Sequence, residues 1–253
     1  MAGMTDDLFR QDAYLRECSA HITAVTEAGI VLDRTVFYPL GGGQAGDSGV
    51  LVLADGTEIA IADTRKGKDA EGNATNNIVH IPAPGQEALL AALAPGTTVT
   101  ARIDWERRHR MMRLHTTSHL LCHVVPQLVN GCSITPDYAR LDFAMTDPLD
   151  KEQLTAAIAT MVAAAHPLTV ASISDEELDA NPALVKSMSV QPPRGTGRIR
   201  TIRIGGEGDA PLIDLQPCGG THVANTAEIG AIVVTKIEKK SATTRRVVLG
   251  FAP

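Results

Sequence analysis

Arg113-Leu114-His115-Thr116-Thr117-Ser118-His119-Leu120-Leu121 is the stretch that decides how this chain folds. Residues four apart on a helix share a face, so His115 and His119 can point at one ion. Two imidazoles are an incomplete ligand set, and the chain has to bring others to them. About 100 residues later stands Cys218-Gly219-Gly220-Thr221-His222. This second pentad needs no helix. Its glycines let the backbone bend tightly, so a thiolate and an imidazole can converge from a loop. Three imidazoles and one thiolate form a borderline-soft set that suits zinc. Either pentad alone is a weak signal. Both together, in a chain with only 4 Cys and 8 His, are much stronger.

Outward from the first pentad, residues 105–125 read as one helix, with Asp104 as its N-cap and Pro126 near its end. Met111, Met112, Leu114, Leu120, Leu121 and Val124 supply its apolar side. Residues 131–136 read as a turn, followed by a strand ending in Arg140-Leu141-Asp142-Phe143. Asp150 caps a second helix to about residue 165. Residues 170–173 are a strand, and Ser174-Asp175-Glu176-Glu177 opens a short helix as a capping box. Asn181-Pro182 begins another turn. Strands follow at 198–204 and 212–215, the latter feeding into Cys218. Residues 229–236 and 245–251 form a closing hairpin. Helices alternating with mainly antiparallel strands make this part α+β.

Upstream, residues 19–101 read mostly as strands. Residues 20–24 and 30–33 flank the turn Glu27-Ala28-Gly29, and 50–53 and 58–62 flank Ala54-Asp55-Gly56. Residues 77–82 and 97–104 add two more strands, with a short helical segment at 86–93 between them. Many short strands with little helix predict a small closed β-barrel. Between the hairpins lies Val36-Phe-Tyr-Pro-Leu-Gly41-Gly42-Gly43-Gln44-Ala-Gly-Asp47. Three consecutive glycines are entropically costly to order, which favours backbone that approaches a ligand closely over a plain turn.

A hydrophobic fraction of 44% is enough for a core, and aromatics at 3% leave aliphatic residues to build it. No run approaches 18 apolar residues, so no membrane-spanning helix is expected. The start of the chain, Met1-Ala-Gly-Met-Thr-Asp-Asp7, lacks the apolar stretch of a signal peptide. Cys18, Cys122 and Cys132 read as small buried thiols and not as a disulfide framework. These features point to the cytoplasm. The net charge of -6 argues against a wholly electrostatic nucleic-acid binder. Basic residues nevertheless cluster at Arg107, Arg108, Arg110 and Arg113, at Arg194, Arg198, Arg200 and Arg203, and at Lys236, Lys239, Lys240, Arg245 and Arg246. Three such groups flanking one site put a nucleic-acid substrate on an equal footing with three unrelated solvated faces.

Familiar zinc chemistries fail on single residues. A metallopeptidase needs Glu after the first His, and position 116 is Thr. The nucleobase deaminase signature needs a Glu two residues after a ligand and a C-x-x-C, and neither is present. What remains is a His3Cys site, and four protein ligands ordinarily mean a closed structural site.

The stretch from Arg113 to Leu121 and Gln216-Pro-Cys-Gly-Gly-Thr-His-Val-Ala-Asn-Thr-Ala-Glu-Ile-Gly230 closely resemble the two signatures of the alanyl-tRNA synthetase editing domain and of the free-standing alanyl-tRNA editing proteins. The resemblance extends from Leu32-Asp-Arg-Thr-Val-Phe-Tyr-Pro39 through Gly42-Gly43-Gln44 and Arg140 to Phe143, and so covers most of the chain in family order. It implies an N-terminal β-barrel domain over 1–104 and a zinc-binding α+β editing domain of the threonyl/alanyl-tRNA synthetase type over 105–253. It implies one zinc per chain on His115, His119, Cys218 and His222. It implies hydrolysis of the ester joining a wrong amino acid, chiefly serine and also glycine, to alanine tRNA. Nothing precedes the expected barrel, so the aminoacylation domain is expected to be absent and the chain to edit in trans. Thr117, Asp142 and Thr221 are the catalytic candidates, with Thr116 as a further hydroxyl near the metal. Gly41, Gly42, Gly43, Gln44 and Ser133 are the substrate-binding candidates, and Thr135 is a further partner for a serine hydroxyl. The glutamine that the synthetases often carry before the Gly-Ser turn has no counterpart in Val129-Asn-Gly-Cys-Ser133. The expected partner is mischarged alanine tRNA, with no membrane and no obligate protein partner. Two other readings stay open: a tRNA-binding module whose zinc is structural, and an editing relative acting on another aminoacyl-tRNA.

Overall fold

Period-2 alternation builds the first half of the chain. In the computed structural model, which describes residues 4–192, 197–206, 208 and 210–253, the chain divides into two units. Arg194 of the second basic group lies outside the described residues. The first unit comprises Met1–Gly41 and Ala45–His109, and the second Gly42–Gln44 and Arg110–Pro253.

The first unit runs β1 (Asp6–Asp7), β2 (Glu17–Thr26), β3 (Gly29–Leu32), β4 (Arg34–Thr35), β5 (Gly49–Leu53), β6 (Glu58–Lys68), β7 (Ala74–Pro82), α1 (Glu87–Ala91) and β8 (Thr98–Ile103). Apart from the short parallel pair β1–β4, the pairing is antiparallel and follows the order β2-β3-β7-β6-β5-β8, closing back onto β2. The pairs form a cycle, but the ring is not set evenly round an axis, so the pairing does not establish the expected closed barrel. Alternate residues point inward. Leu51, Ile59, Ile61, Val99, Ala101 and Ile103 are buried in one aliphatic cluster with Ile22, Ile30 and Leu32. The hairpin β6–β7 is longer than its hydrophobic ends foretold, because pairing continues into the polar residues to Lys68 and Ala74.

Two expected nucleic-acid contacts turn inward here. Arg108 is 0% exposed. Its Nε donates to Asp47 Oδ1 and Oδ2 at 3.1 and 3.0 Å, and its Nη2 also reaches that carboxylate. Nη1 and Nη2 donate to the carbonyls of Ala13 and Val36 at 3.0 and 2.7 Å. Arg107 Nη2 donates to Gly46 O at 3.2 Å. A guanidinium with five donors can tie together several chain segments, and that demand consumes Arg108, while half-buried Arg107 commits one nitrogen to Gly46 O.

The helix α2 (Trp105–Val124) starts in the first unit, where Asp104 Oδ1 accepts from Arg107 N at 3.1 Å as the expected N-cap, and continues in the second. The second unit then runs β9 (Val129–Ile134), β10 (Tyr138–Ala144), α3 (Lys151–Ala163), β11 (Leu168–Ile173), α4 (Asp175–Ala180), β12 (Ile199–Gly205), β13 (Leu212–Pro217), β14 (Ile232–Ser241) and β15 (Thr244–Phe251). Two antiparallel sheets result, β14-β15-β10-β9 and β11-β12-β13. The unit is thus mixed helix and strand. Asp150 caps α3 through Gln153 N at 2.8 Å, and the Ser174–Glu177 capping box forms at α4. Thr155 of α3 accepts from Val234 N at 3.0 Å, which fastens the helix to β14.

Three local readings shift. Residues 131–134 are strand, and the turn is confined to 135–137, where Thr135 N donates to Tyr138 O at 2.9 Å. The hairpin strand begins at Ile232 because Asn225 caps a 3-10 turn over Thr226–Ile229. From 114 to 122 every residue of α2 is buried, so the helix has no wet face there. Two of its hydroxyls are satisfied by their own helix: Thr117 and Ser118 donate to the carbonyls of Arg113 and Leu114 at 2.8 and 2.9 Å. Among the described residues, no helix is long and apolar enough to cross a membrane.

Candidate metal centre

One helical turn separates His115 from His119, and their ring centroids are 5.4 Å apart. β13 ends at Pro217 and delivers Cys218 and His222, whose ring lies 4.3 Å from that of His115 and 4.6 Å from that of His119. One ligand atom from each of the four residues lies within 4.8 Å of the others. Cys218 Sγ is 3.5 Å from His115 Nε2 and 3.4 Å from His222 Nε2. Tetrahedral zinc, with bonds of about 2.3 Å to sulfur and 2.0–2.1 Å to nitrogen, sets those atoms roughly 3.6 Å apart. The donor set and its spacing therefore fit the ion expected.

Each imidazole is held by its outer nitrogen. His115 Nδ1 is 2.7 Å from Gln44 Oε1, His119 Nδ1 is 2.8 Å from Asp214 Oδ2, and His222 Nδ1 is 3.2 Å from Thr116 Oγ1. A hydrogen bond at Nδ1 fixes the tautomer and the ring orientation, which leaves Nε2 for a metal. The holders are themselves held. Asp214 is 2% exposed, receives Gln216 Nε2 at 2.8 Å and pairs with Lys186. Gln44 Oε1 also accepts from Thr221 N at 3.1 Å, and Gln44 Nε2 donates to Thr221 Oγ1 at 2.8 Å. Gln44 reaches the site because Gly43 O accepts from Ile134 N at 2.7 Å, which attaches Gly43-Gln44 to the end of β9.

The loop carrying Cys218 is shaped by Arg200, whose Nη1 donates to Cys218 O at 2.7 Å and to Gly220 O at 3.1 Å. Burial pushes the Cys218 thiol up, but the adjacent His115 and His222 outweigh it and hold the group well below the usual thiol range. Burial presses His119 down, but the Asp214 carboxylate outweighs it and raises the ring to about 9. Burial, with His115 beside it, lowers His222 to about 3. Both directions favour the forms that ligate a metal, the thiolate of Cys218 and the neutral imidazole of His222. Ligation through His119 Nε2 would release a proton there, while Asp214 keeps the one on Nδ1.

The other named residues are distributed as follows. Thr221 adjoins the cluster through Gln44, and Thr117 is buried on α2, bonded to Arg113 O. Asp142 on β10 receives Arg246 at 2.7 and 2.9 Å and Lys240 at 2.8 Å. The Arg246 hydrogen bonds, against the opposing effect of burial, hold it down to about 2. Ser133 stands opposite Arg140 on β9. Gly42 and Gly43 have φ of 57° and 86°. Gly41 belongs to the first unit, where the Tyr38 hydroxyl donates to its carbonyl at 2.8 Å. Thr135 is spent on its own turn, with Oγ1 donating to Tyr138 O at 3.0 Å. Sequence reasoning did not single out Asp214, Lys186 or the structural task of Arg200, and it gave Gln44 to the substrate. The available signal was a lone acid inside the apolar strand Leu212-Ile213-Asp214-Leu215, four residues before the cysteine.

A family model described as "Threonyl and Alanyl tRNA synthetase second additional domain" matches residues 199–248, which include Cys218 and His222. A second, for class II (A) tRNA synthetases, matches residues 10–107. The alanyl-tRNA editing protein AlaX-M of Saccharolobus solfataricus is 32% identical over 255 residues, covering 99% of this chain and 100% of that protein. AlaX-M of Methanosarcina acetivorans is 32% identical over 252 residues, 96% of this chain and 97% of its own length. The alanine–tRNA ligase of Metallosphaera sedula is 34% identical over 244 residues, 93% of this chain but only 25% of the ligase. With likeness at this level running almost from end to end of two free-standing relatives, the chain belongs to the family of alanyl-tRNA editing proteins.

Proposed function

We propose that this protein deacylates mischarged alanine tRNA in trans, chiefly the seryl ester and secondarily the glycyl ester, at a zinc ion held by His115, His119, Cys218 and His222. The observation that carries the reading is the set of three imidazoles, each fixed at Nδ1 by a separate polar group, converging with Cys218. The full-length likeness to AlaX-M supports the substrate class. In this reading residues 1–104 form a barrel domain and 105–253 the editing domain.

Zinc, when bound, supplies Lewis acidity toward the ester carbonyl or its attacking water. Gln44 and Asp214 keep His115 and His119 oriented. Thr221, already oriented by Gln44 Nε2, is the hydroxyl best positioned to meet the aminoacyl group. Thr117 and Asp142 act in support, one packing α2 and the other neutralising cations. The backbone N–H groups of Gly42 and Gly43, with Ser133, are the proposed contacts for the amino-acid side chain. A site that hydrogen-bonds a hydroxyl discriminates strongly against a substrate lacking it, by roughly 10⁴-fold in good cases, because its polar groups are left unpaired. The purified protein should therefore clear serine-charged alanine tRNA and largely spare the alanine-charged form. Equal rates on the serine and alanine esters would remove this account of the pocket. Gly42→Val forces a β-branched residue into φ 57°, and it should depress seryl ester hydrolysis while metal content stays at the wild-type level.

Four protein ligands within 4.8 Å also favour a second reading, a closed structural zinc in a tRNA-binding module. That reading predicts tRNA binding without deacylation. Both readings predict metal analysis near one zinc per chain. A Cys218→Ala, His222→Ala double variant should lose it, and full occupancy in that variant would overturn the ligand assignment.

A further inference from the structure

We infer that a cleft on the β9–β10–β14 face of the second unit seats a phosphodiester of the RNA backbone next to the ester being cleaved. The inference rests on the aminoacyl-tRNA reading above. The cleft has a volume of about 410 Å³, and its walls include Asn130 and Cys132 of β9, Arg140 and Asp142 of β10, Lys240 of β14 and Ser189.

Charge is the first reason. Among the described residues, Asp142 is the single acid on these walls, and it is 4% exposed. Arg246 bonds it through two nitrogens, Lys240 bonds it at 2.8 Å, and Arg140 Nη1 stands 3.7 Å away. Glu238 Oε2, 4.0 Å from Arg246, offsets part of that cation's charge, which leaves Arg140 and Lys240 as the excess positive charge on the cleft walls, and an arriving anion relieves their repulsion. Arg140 and Lys240 keep 35% and 49% of their side chains exposed, so both can turn donors toward such a guest.

The neutral lining is the second reason. Amide and hydroxyl groups of Asn130 and Ser189 face the same space, and no aromatic ring is among its lining residues. Single-stranded bases are gripped by stacking on aromatics, whereas phosphates take Arg, Lys, Ser and Asn donors. The cleft has the second chemistry.

Position is the third reason. Cys132 on the wall abuts the loop that serves the metal cluster: a Cβ on Gly43 would lie 3.0 Å from Cys132 Sγ. The next residue, Gln44, holds His115. In an aminoacyl-tRNA the phosphate nearest the ester belongs to the terminal nucleotide, so a phosphate site beside that loop suits the 3′ end. Other members of the basic groups are occupied internally. Arg110 and Arg113 donate to the carbonyls of Pro136 and Ile229 at 2.7 Å each, and Arg245 donates to those of Ser241 and Thr244 at 3.1 and 3.2 Å.

The test is binding of an uncharged acceptor-stem minihelix ending in CCA, titrated at several salt concentrations. The Arg140→Gln, Lys240→Gln double variant should bind at least tenfold more weakly, with a log–log salt slope shallower by about 0.7, the value for losing the one single-strand phosphate that the two side chains share. Arg140→Lys with Lys240→Arg should restore most of the affinity. Thermal melting and metal content report whether the double variant is folded. If it is not, the single Lys240→Gln variant carries the test, with weaker binding and a slope shallower by no more than about 0.7. An unchanged affinity and slope in a folded variant would overturn the cleft assignment and leave the tRNA reading standing. A wild type that binds no minihelix at any salt would overturn both. Inorganic phosphate alone should compete only weakly, and phosphate binding tighter than that of the minihelix would replace the RNA backbone with a free anion.

Discussion

Gly220→Ala is expected to abolish stable metal binding. A Cβ at this position would lie 2.1 Å from His115 Cε1, 2.5 Å from His115 Nδ1 and 3.0 Å from Gln44 Oε1. No real Cβ tolerates the first two contacts, so either the loop or the ring must move. The loop is pinned on both sides of Gly220: Arg200 grips the carbonyls of Cys218 and Gly220, and Thr221 N donates to Gln44 Oε1. The His115 ring is the softer partner, and moving it breaks the 2.7 Å contact with Gln44 and turns Nε2 away from Cys218. Loss of one outer hydrogen bond to a ligating histidine typically costs 10–100-fold in metal affinity, and here the ligand itself is displaced. Overpacking adds about 1–3 kcal/mol of destabilisation. Dialysis followed by metal analysis checks it. A variant that keeps one tightly bound zinc would show that the loop can yield where the hydrogen bonds say it cannot.

Asp47→Ala should be the most destabilising substitution in the first unit. Both Asp47 and Arg108 have side chains 0% exposed. The carboxylate also accepts from Tyr38 N at 2.7 Å. Removing it leaves a buried guanidinium with two carbonyl partners and no counter-charge, and breaking a buried pair in this way costs about 3–5 kcal/mol. Domains are stable by only about 5–15 kcal/mol, so the unfolding midpoint in urea should fall far. A loss of less than about 1 kcal/mol, within the range of an ordinary surface change, would mean that Arg108 finds another partner or water.

The elements that were legible in the sequence carry their cause locally. Asp104, Asp150 and Ser174 cap helices through backbone N–H groups three positions away, and the turns at 27–28 and 54–56 join strands of matching alternation. The pentads were legible because helix spacing and glycine freedom are local properties. What could not be read is long-range. The Arg107–Arg113 cluster looks alike whether it faces RNA or a buried aspartate, and the aspartate that claims Arg108 lies 61 residues earlier. Asp214 and His119 are 95 residues apart, and nothing near either one announces the pair. Residues 131–134 carry turn-forming types, yet ladder bonds to β10 override them, and Gly131 sits at the irregularity opposite Asp142. Gln44 stands out in the sequence through its glycine neighbours, as backbone for an aminoacyl end, and nothing local announces that its side chain reaches His115 and Thr221.

The central claim is that the cluster of His115, His119, Cys218 and His222 holds the metal on which ester hydrolysis depends. The most direct measurement is the rate of seryl ester cleavage on alanine tRNA by the wild-type protein as purified, after chelation, and after zinc is returned. Cleavage in the first state, its loss in the second and its recovery in the third are the predicted results. A chelated protein that is folded, free of metal and still cleaving at the original rate would contradict the claim, as would a zinc-loaded protein that binds the charged tRNA and leaves its ester intact.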